Sequence, residues 1–212
     1  MKCVMELSVT QAARAHGRTE RAVQLALRSG ALAGQRRRGR TTSLDDMAVL
    51  AWSRASHRGR PWGPGARDAA LDLLSGLGTT TMAGSSLSRF RSSLRSMSAR
   101  EIAHGAGGLG VWARYRGSSV GSARPVGPSA ADAESLGLVE GESWMTFLAV
   151  DDLDRFELDN DVVLDPDGNL GVVERATADE RSARVLLDHY LLGDVRQSSA
   201  AAQELEHRAR RA

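Results

Sequence analysis

Leu7 to Met47 is the stretch that most constrains this chain: two short helical patterns, each ended by a glycine, followed by a run of arginines. Ser8 to His16 has an apolar periodicity that breaks at Gly17, and Thr19 to Arg28 has a second that stops at Gly30. Glycine closes such segments because it enters the left-handed backbone region without a Cβ clash. Ala12, Ala13, Val23, Ala26 and Leu27 are small or apolar at the positions that pack two such helices together. The same spacing leaves Arg18, Thr19, Arg21, Gln24 and Arg28 pointing outward. The run Gln35-Arg36-Arg37-Arg38-Gly39-Arg40 comes next. A helix start at Ser43-Leu44-Asp45-Asp46 then leads into Asp45 to Ala55, with Met47, Val49, Leu50 and Trp52 as its apolar positions.

Charge sharpens this picture. Residues 1–66 hold 12 Lys/Arg against 4 Asp/Glu, and residues 67–212 hold 16 against 22. A formal net charge of +2 therefore hides a cationic head on an anionic body, and a cationic head favours a polyanionic partner. Cys3 is the only cysteine, so no intrachain disulfide forms, as suits a reducing compartment. Met1 to Glu6 lacks the apolar run of a signal peptide, and no stretch suggests a membrane span. A cytoplasmic protein is the expectation. Lys2 is the sole lysine among 28 basic residues, which reads as the codon bias of a GC-rich, bacterial genome.

The chain divides into a head (1–57), a Gly/Pro-rich link (58–65) and a body (66–212). In the body, helices are expected over 66–77 and 85–103, the second with arginines opposite a stripe of Leu87, Phe90, Leu94 and Met97. That helix is read as a core helix, with extra DNA-backbone contact as the alternative. Val111 to Arg116 alternates like a strand, and Gly117 to Ala131 reads as a surface loop. Trp144 to Val150 reads as a strand and Asp151 to Phe156 as a short helix. Val162–Leu164 and Leu170–Val173 flank Asp165-Pro166-Asp167-Gly168-Asn169, which predicts a hairpin. Helices over 179–192 and 195–211, split at Gly193, complete the body. Residues 132–170 carry 12 Asp/Glu against Arg155 alone. This block is either a solvated face or a contact surface, for a basic partner or for the arginine run of the head.

Hydrogen-bonding side chains on an exposed helix, with a cationic turn beside it, suit the major groove and backbone of duplex DNA. The head resembles the excisionase-like branch of the MerR winged helix-turn-helix family. The resemblance rests on Leu7-Ser8-Val9, Ala12-Ala13, His16-Gly17-Arg18-Thr19, Val23, Leu27-Arg28-Ser29-Gly30, Leu32, Gly39-Arg40 and Leu44-Asp45-Asp46, and the wing departs from it in its dense arginines. More weakly, the body resembles abortive-infection antitoxins of the AbiEi-like, type IV kind. That likeness rests on three passages: Gly59-Arg60-Pro61 with Ala69 to Gly76; Asp151 to Asp154 with Pro166 to Asn169; and Leu186-Leu187-Asp188 with Gly193 to Arg196. It implies a head that represses its own operon and a body that neutralises a nucleotidyltransferase-like toxin, leaving open whether the toxin is touched directly.

Other motifs point away from catalysis. Gly105 to Gly110 fits a dinucleotide pattern, but a helix precedes it and a strand follows, the reverse of what that site needs. Asp165, Asp167 and Asn169 lack the glycine and glutamate positions of a calcium loop. The five histidines are scattered, and no nucleophile elbow or phosphate loop occurs.

The expectation is an α+β protein, with an N-terminal winged helix-turn-helix and a mixed α+β C-terminal domain. It is read as a repressor and antitoxin, not an enzyme, with no cofactor and no metal. Arg18, Thr19, Arg21 and Gln24 would read bases, while Arg28, Arg36, Arg37, Arg38 and Arg40 would hold phosphates. Expected partners are duplex DNA of its own operator, a nucleotidyltransferase-like toxin and a second copy in a homodimer, with no membrane. The alternatives are an excisionase-like architectural factor, a ligand-sensing MerR-type regulator, and an enzyme whose head targets it to DNA.

Overall fold

A computed structural model describes residues 6–32, 35–38, 41–118, 121, 123–129, 133–138 and 145–212, of which 35–38, 41 and 135 are described by their backbone. The architecture is mixed α+β. The head runs β1 (Leu7–Ser8), α1 (Val9–Ala15), α2 (Glu20–Arg28), β2 (Gln35–Arg38), β3 (Thr41–Leu44) and α3 (Asp46–Ala55). The body opens with α4 (Pro64–Leu74), α5 (Gly84–Leu94) and α6 (Ala99–Gly105), then β4 (Val111–Gly117) and β5 (Arg124–Pro125). It continues with β6 (Thr146–Val150), α7 (Leu153–Asp159), β7 (Val162–Leu164), β8 (Leu170–Glu174), α8 (Ser182–Leu192) and α9 (Val195–Arg211).

The three helices of the head start at side-chain caps. Ser8 and Gln11 form a capping box on α1, Thr19 accepts from the Ala22 amide on α2, and Asp45 accepts from the Met47 and Ala48 amides on α3. Each satisfies amides that the first helical turn leaves without partners. The expected single helix over 85–103 is two helices. Ser98 and Glu101 form a capping box that restarts the chain as α6, a signal the apolar spacing alone concealed.

The head's sheet has the order β1-β3-β2, antiparallel, with Arg37 opposite Thr42 and Leu7 opposite Leu44. The body's sheet has the order β5-β6-β8-β4-β7. The hairpin expected between 162–164 and 170–173 does not form. β4 lies between β7 and β8 and pairs antiparallel with both. Asn169 closes the gap: its amide oxygen accepts from the Gly117 N–H and its amide nitrogen donates to the Gly117 carbonyl. β8 pairs parallel with β6, and Phe147 to Val150 and Leu170 to Val173 are all buried, as parallel strands covered on both faces require. Nor is 117–131 all surface loop: the Val126 N–H donates to the Phe147 carbonyl, and Val126, Gly127 and Pro128 are buried.

Head and body meet in one hydrophobic core that runs from Leu7 and Val49 through Leu74, Ile102 and Leu186 to Leu205. A smaller cluster around Tyr115, Phe156 and Val172 covers the other face of the sheet, taking the alternate residues of β6 and β8. α8 is buried almost all round, and the head's α3 packs against both α8 and α6. The link is tied down as well. The Trp62 N–H donates to the Gly105 carbonyl, and the indole lies so flat on α6 that a Cβ at Gly105 would sit 2.3 Å from it. Gly105→Ala should therefore destabilise the fold by about 1–3 kcal/mol through overpacking, read from urea denaturation. Unchanged stability would mean that Trp62 is loosely held.

Candidate nucleic-acid interface

The α1–α2 pair is built as its sequence requires. Gly17 takes φ +60°, the Arg18 N–H donates to the Ala13 carbonyl, and the chain reverses into α2. Ala12, Ala13, Val23 and Ala26 are buried between the helices, with Leu27 packed partly against them. What remains on the outer surface of α2 is Glu20, Arg21, Gln24, Leu25 and Arg28, all exposed. Glu20 in the first turn and Arg28 in the last both complement the helix dipole.

The expected contact residues thus separate. Arg21, Gln24 and Arg28 share one solvent-facing surface. Thr19 stands at its amino end, its hydroxyl engaged in capping. Arg18 turns back: its guanidinium donates to the Ser53 carbonyl at 2.9 Å and lies 5.8 Å from the Trp52 ring, so it fixes the turn to the end of α3. Arg36, Arg37 and Arg38 lie on β2, the outer strand of the head's sheet, and Arg40 lies outside the described residues.

Leu25 joins this face without having been expected there. It is 65% exposed, a large apolar side chain on an otherwise polar surface. Its offset from the Val23, Ala26 and Leu27 stripe places it outward, and that offset is legible in the sequence. An apolar side chain among arginine and glutamine suits a groove edge, where thymine presents a methyl group.

The head is tied to the body at both ends of α3. Asp45, which caps α3, reaches Arg114 of β4 at 3.3 Å, and Asp46 lies 3.7 Å from the same guanidinium. Arg114 is 3% exposed and also donates to the Pro166 carbonyl at 2.7 Å. Burial pushes the Asp45 and Asp46 carboxyls above the usual range, and the Arg114 charge opposes the shift. At the other end of α3, Arg54 donates to the carbonyls of Leu191 and Gly193, both at 2.8 Å, and the Tyr190 hydroxyl donates back to the Arg54 carbonyl.

The body carries a cleft of about 360 Å³ between α7 and the loop after β8. Its carboxylates are engaged in structure: Asp151 accepts from the Thr177 amide and hydroxyl, Asp152 caps α7, and Asp159 pairs with Arg155. Among the described residues no group of three His, Cys, Asp or Glu is placed to hold a metal ion, and no helix is long and apolar enough to cross a membrane. Gly105 to Gly110 forms the helix-to-strand turn between α6 and β4, with Gly107, Gly108 and Gly110 at positive φ.

Compared with protein families, with curated proteins and with solved structures, the chain matches none.

Proposed function

We propose that this protein is a DNA-binding transcriptional repressor whose head is a winged helix-turn-helix with α2 as its recognition helix. The observation that carries the reading is the outer face of α2, where Arg21, Gln24, Leu25 and Arg28 stand exposed, within residues 1–66 that hold 12 cationic against 4 anionic residues. Arg21 and Gln24 read base edges in the major groove, with Thr19 at the helix's amino end. Arg28 and the β2–β3 arginines Arg36, Arg37, Arg38 and Arg40 hold phosphates. Arg18, bound to Ser53, sets the angle of the turn. The antitoxin role follows from the resemblance of the body, and duplex DNA of its own operator and a nucleotidyltransferase-like toxin are the partners that role supplies.

Selection of duplexes from a random library by the full chain tests the DNA reading. A recurrent motif supports it, and the absence of any enriched sequence together with no binding at low salt overturns it. The antitoxin part is tested in cells that express the adjacent gene. The full chain restores growth, and Arg21→Ala/Gln24→Ala restores growth while failing to repress the promoter. An adjacent gene that is not toxic removes the antitoxin role and leaves the repressor.

A further inference from the structure

α5 turns its expected stripe of Leu87, Phe90 and Leu94 to the core but leaves most of its surface open. Only Leu94 on it is buried. Leu87, Phe90 and Met97 pack partly against the core, and Phe90 meets Trp62 edge to face at 5.4 Å. The opposite face is open to solvent: Ser85, Ser86, Ser88, Arg89, Ser92, Ser93, Arg95 and Ser96 are all exposed. Its composition breaks with the rest of the body. Residues 73–100 carry four arginines and no Asp or Glu, whereas the remainder of 67–212 carries 12 arginines against 22 acids. The amino end of α5, at Ala83, has no side-chain cap hydrogen bond.

α5 is tied to the head through α3 and the link. Arg18, at the start of α2, is bonded to Ser53 near the end of α3. α3 runs into the link, where Arg58 and Arg60 are exposed and His104 of α6 bonds to the Gly59 carbonyl. The link then delivers Trp62 to Phe90 of α5. These contacts tie the amino end of α2 to α5 through α3, Gly59 and Trp62, with Arg58 and Arg60 exposed between them. The amino end of a recognition helix is the end that enters the groove.

We infer that α5 is a second DNA-backbone surface, whose arginines and serine hydroxyls hold phosphates flanking the stretch that α2 reads. The inference rests on the DNA-binding reading of the head. Arginine and hydroxyl contacts to phosphate position a protein without selecting sequence. A stretch without acids between Asp72 and Glu101, with Arg89 and Arg95 exposed on it, favours such a contact, since carboxylates repel a duplex. The surface extends the footprint beyond the head and fixes the orientation of the body on the duplex.

The test compares the full chain with Arg89→Ser/Arg95→Ser and, because Arg95 also bonds to the Ala212 carbonyl, with Ser92→Glu, an exposed position engaged in no side-chain bond. Binding to a selected duplex and to a scrambled one is followed as salt rises. The double variant should show a slope of log K against log salt shallower by about 2, one for each phosphate that is no longer neutralised. Both variants should bind the two duplexes about equally more weakly, roughly tenfold near 0.1 M salt for the double variant. A hydroxyl-radical footprint should lose protection on the flanking backbone and keep it at the motif. If folded variants keep the wild-type slope, affinity and footprint, α5 is a solvated face and the inference fails. If the wild-type chain does not bind DNA at all, the reading of the head fails with it. Binding by the wild type that both variants reproduce overturns α5 alone.

Discussion

Arg114→Ala should destabilise the protein by about 3–5 kcal/mol, the usual cost of removing one partner of a buried ion pair. Arg114 stands on β4 with 3% exposure, beside Asp45 and Asp46, and it also holds the Pro166 carbonyl at 2.7 Å. Its removal strands two carboxylates that burial already disfavours as anions, one of them the cap of α3. The damage falls where head meets body, so chemical denaturation and loss of DNA binding should move together. The pH dependence has a definite sign. Asp45 and Asp46 have carboxyl pKa values raised above the unfolded values, so the folded state favours their protons. They oppose folding increasingly as pH rises through the unfolded carboxylate range, and without Arg114 that opposition grows. The variant should recover part of its stability as the pH is lowered toward that range. A loss under about 1 kcal/mol, with no such recovery, would mean that the pair contributes little to holding the head.

Arg21→Ala and Gln24→Ala should each reduce discrimination between a selected duplex and a scrambled one by about 1–3 kcal/mol, or roughly 5- to 150-fold. Both side chains stand on the exposed face of α2, away from the Val23 and Ala26 seam, so neither change should lower stability. Arg37→Ala, on β2, should weaken binding to both duplexes alike. Competition binding separates the two behaviours. Should Arg37→Ala alter only specificity while Arg21→Ala and Gln24→Ala alter only general affinity, helix and hairpin exchange roles.

Much of the head was legible because its signals are local. Ser8, Thr19 and Asp45 cap the helices they precede, and Gly17 takes the positive φ that its place between two helices demanded. The body was harder, because its order is set by distant pairings. A turn as favourable as Asp165 to Asn169 suggested that its flanking strands pair. Instead Leu164 and Leu170 both pair with Tyr115 of β4. The partner of Asp45 is likewise beyond sequence reading, since the Arg114 guanidinium arrives only when β4 closes on the head. Leu25 and the Ser98–Glu101 box were within reach: each is a spacing of a few residues, outweighed by the longer apolar periodicity around it.

Salt dependence of DNA binding by the full chain decides whether the head holds a duplex by its phosphates. A head that neutralises about six phosphates, on a chain that folds with head and body sharing one core, should give log K falling against log salt with a slope near −5, somewhat steeper where α5 also engages. Affinity should fall by about a thousandfold between roughly 50 and 200 mM salt. A flat response across that range, or no binding at its lower end, means that the head does not hold DNA.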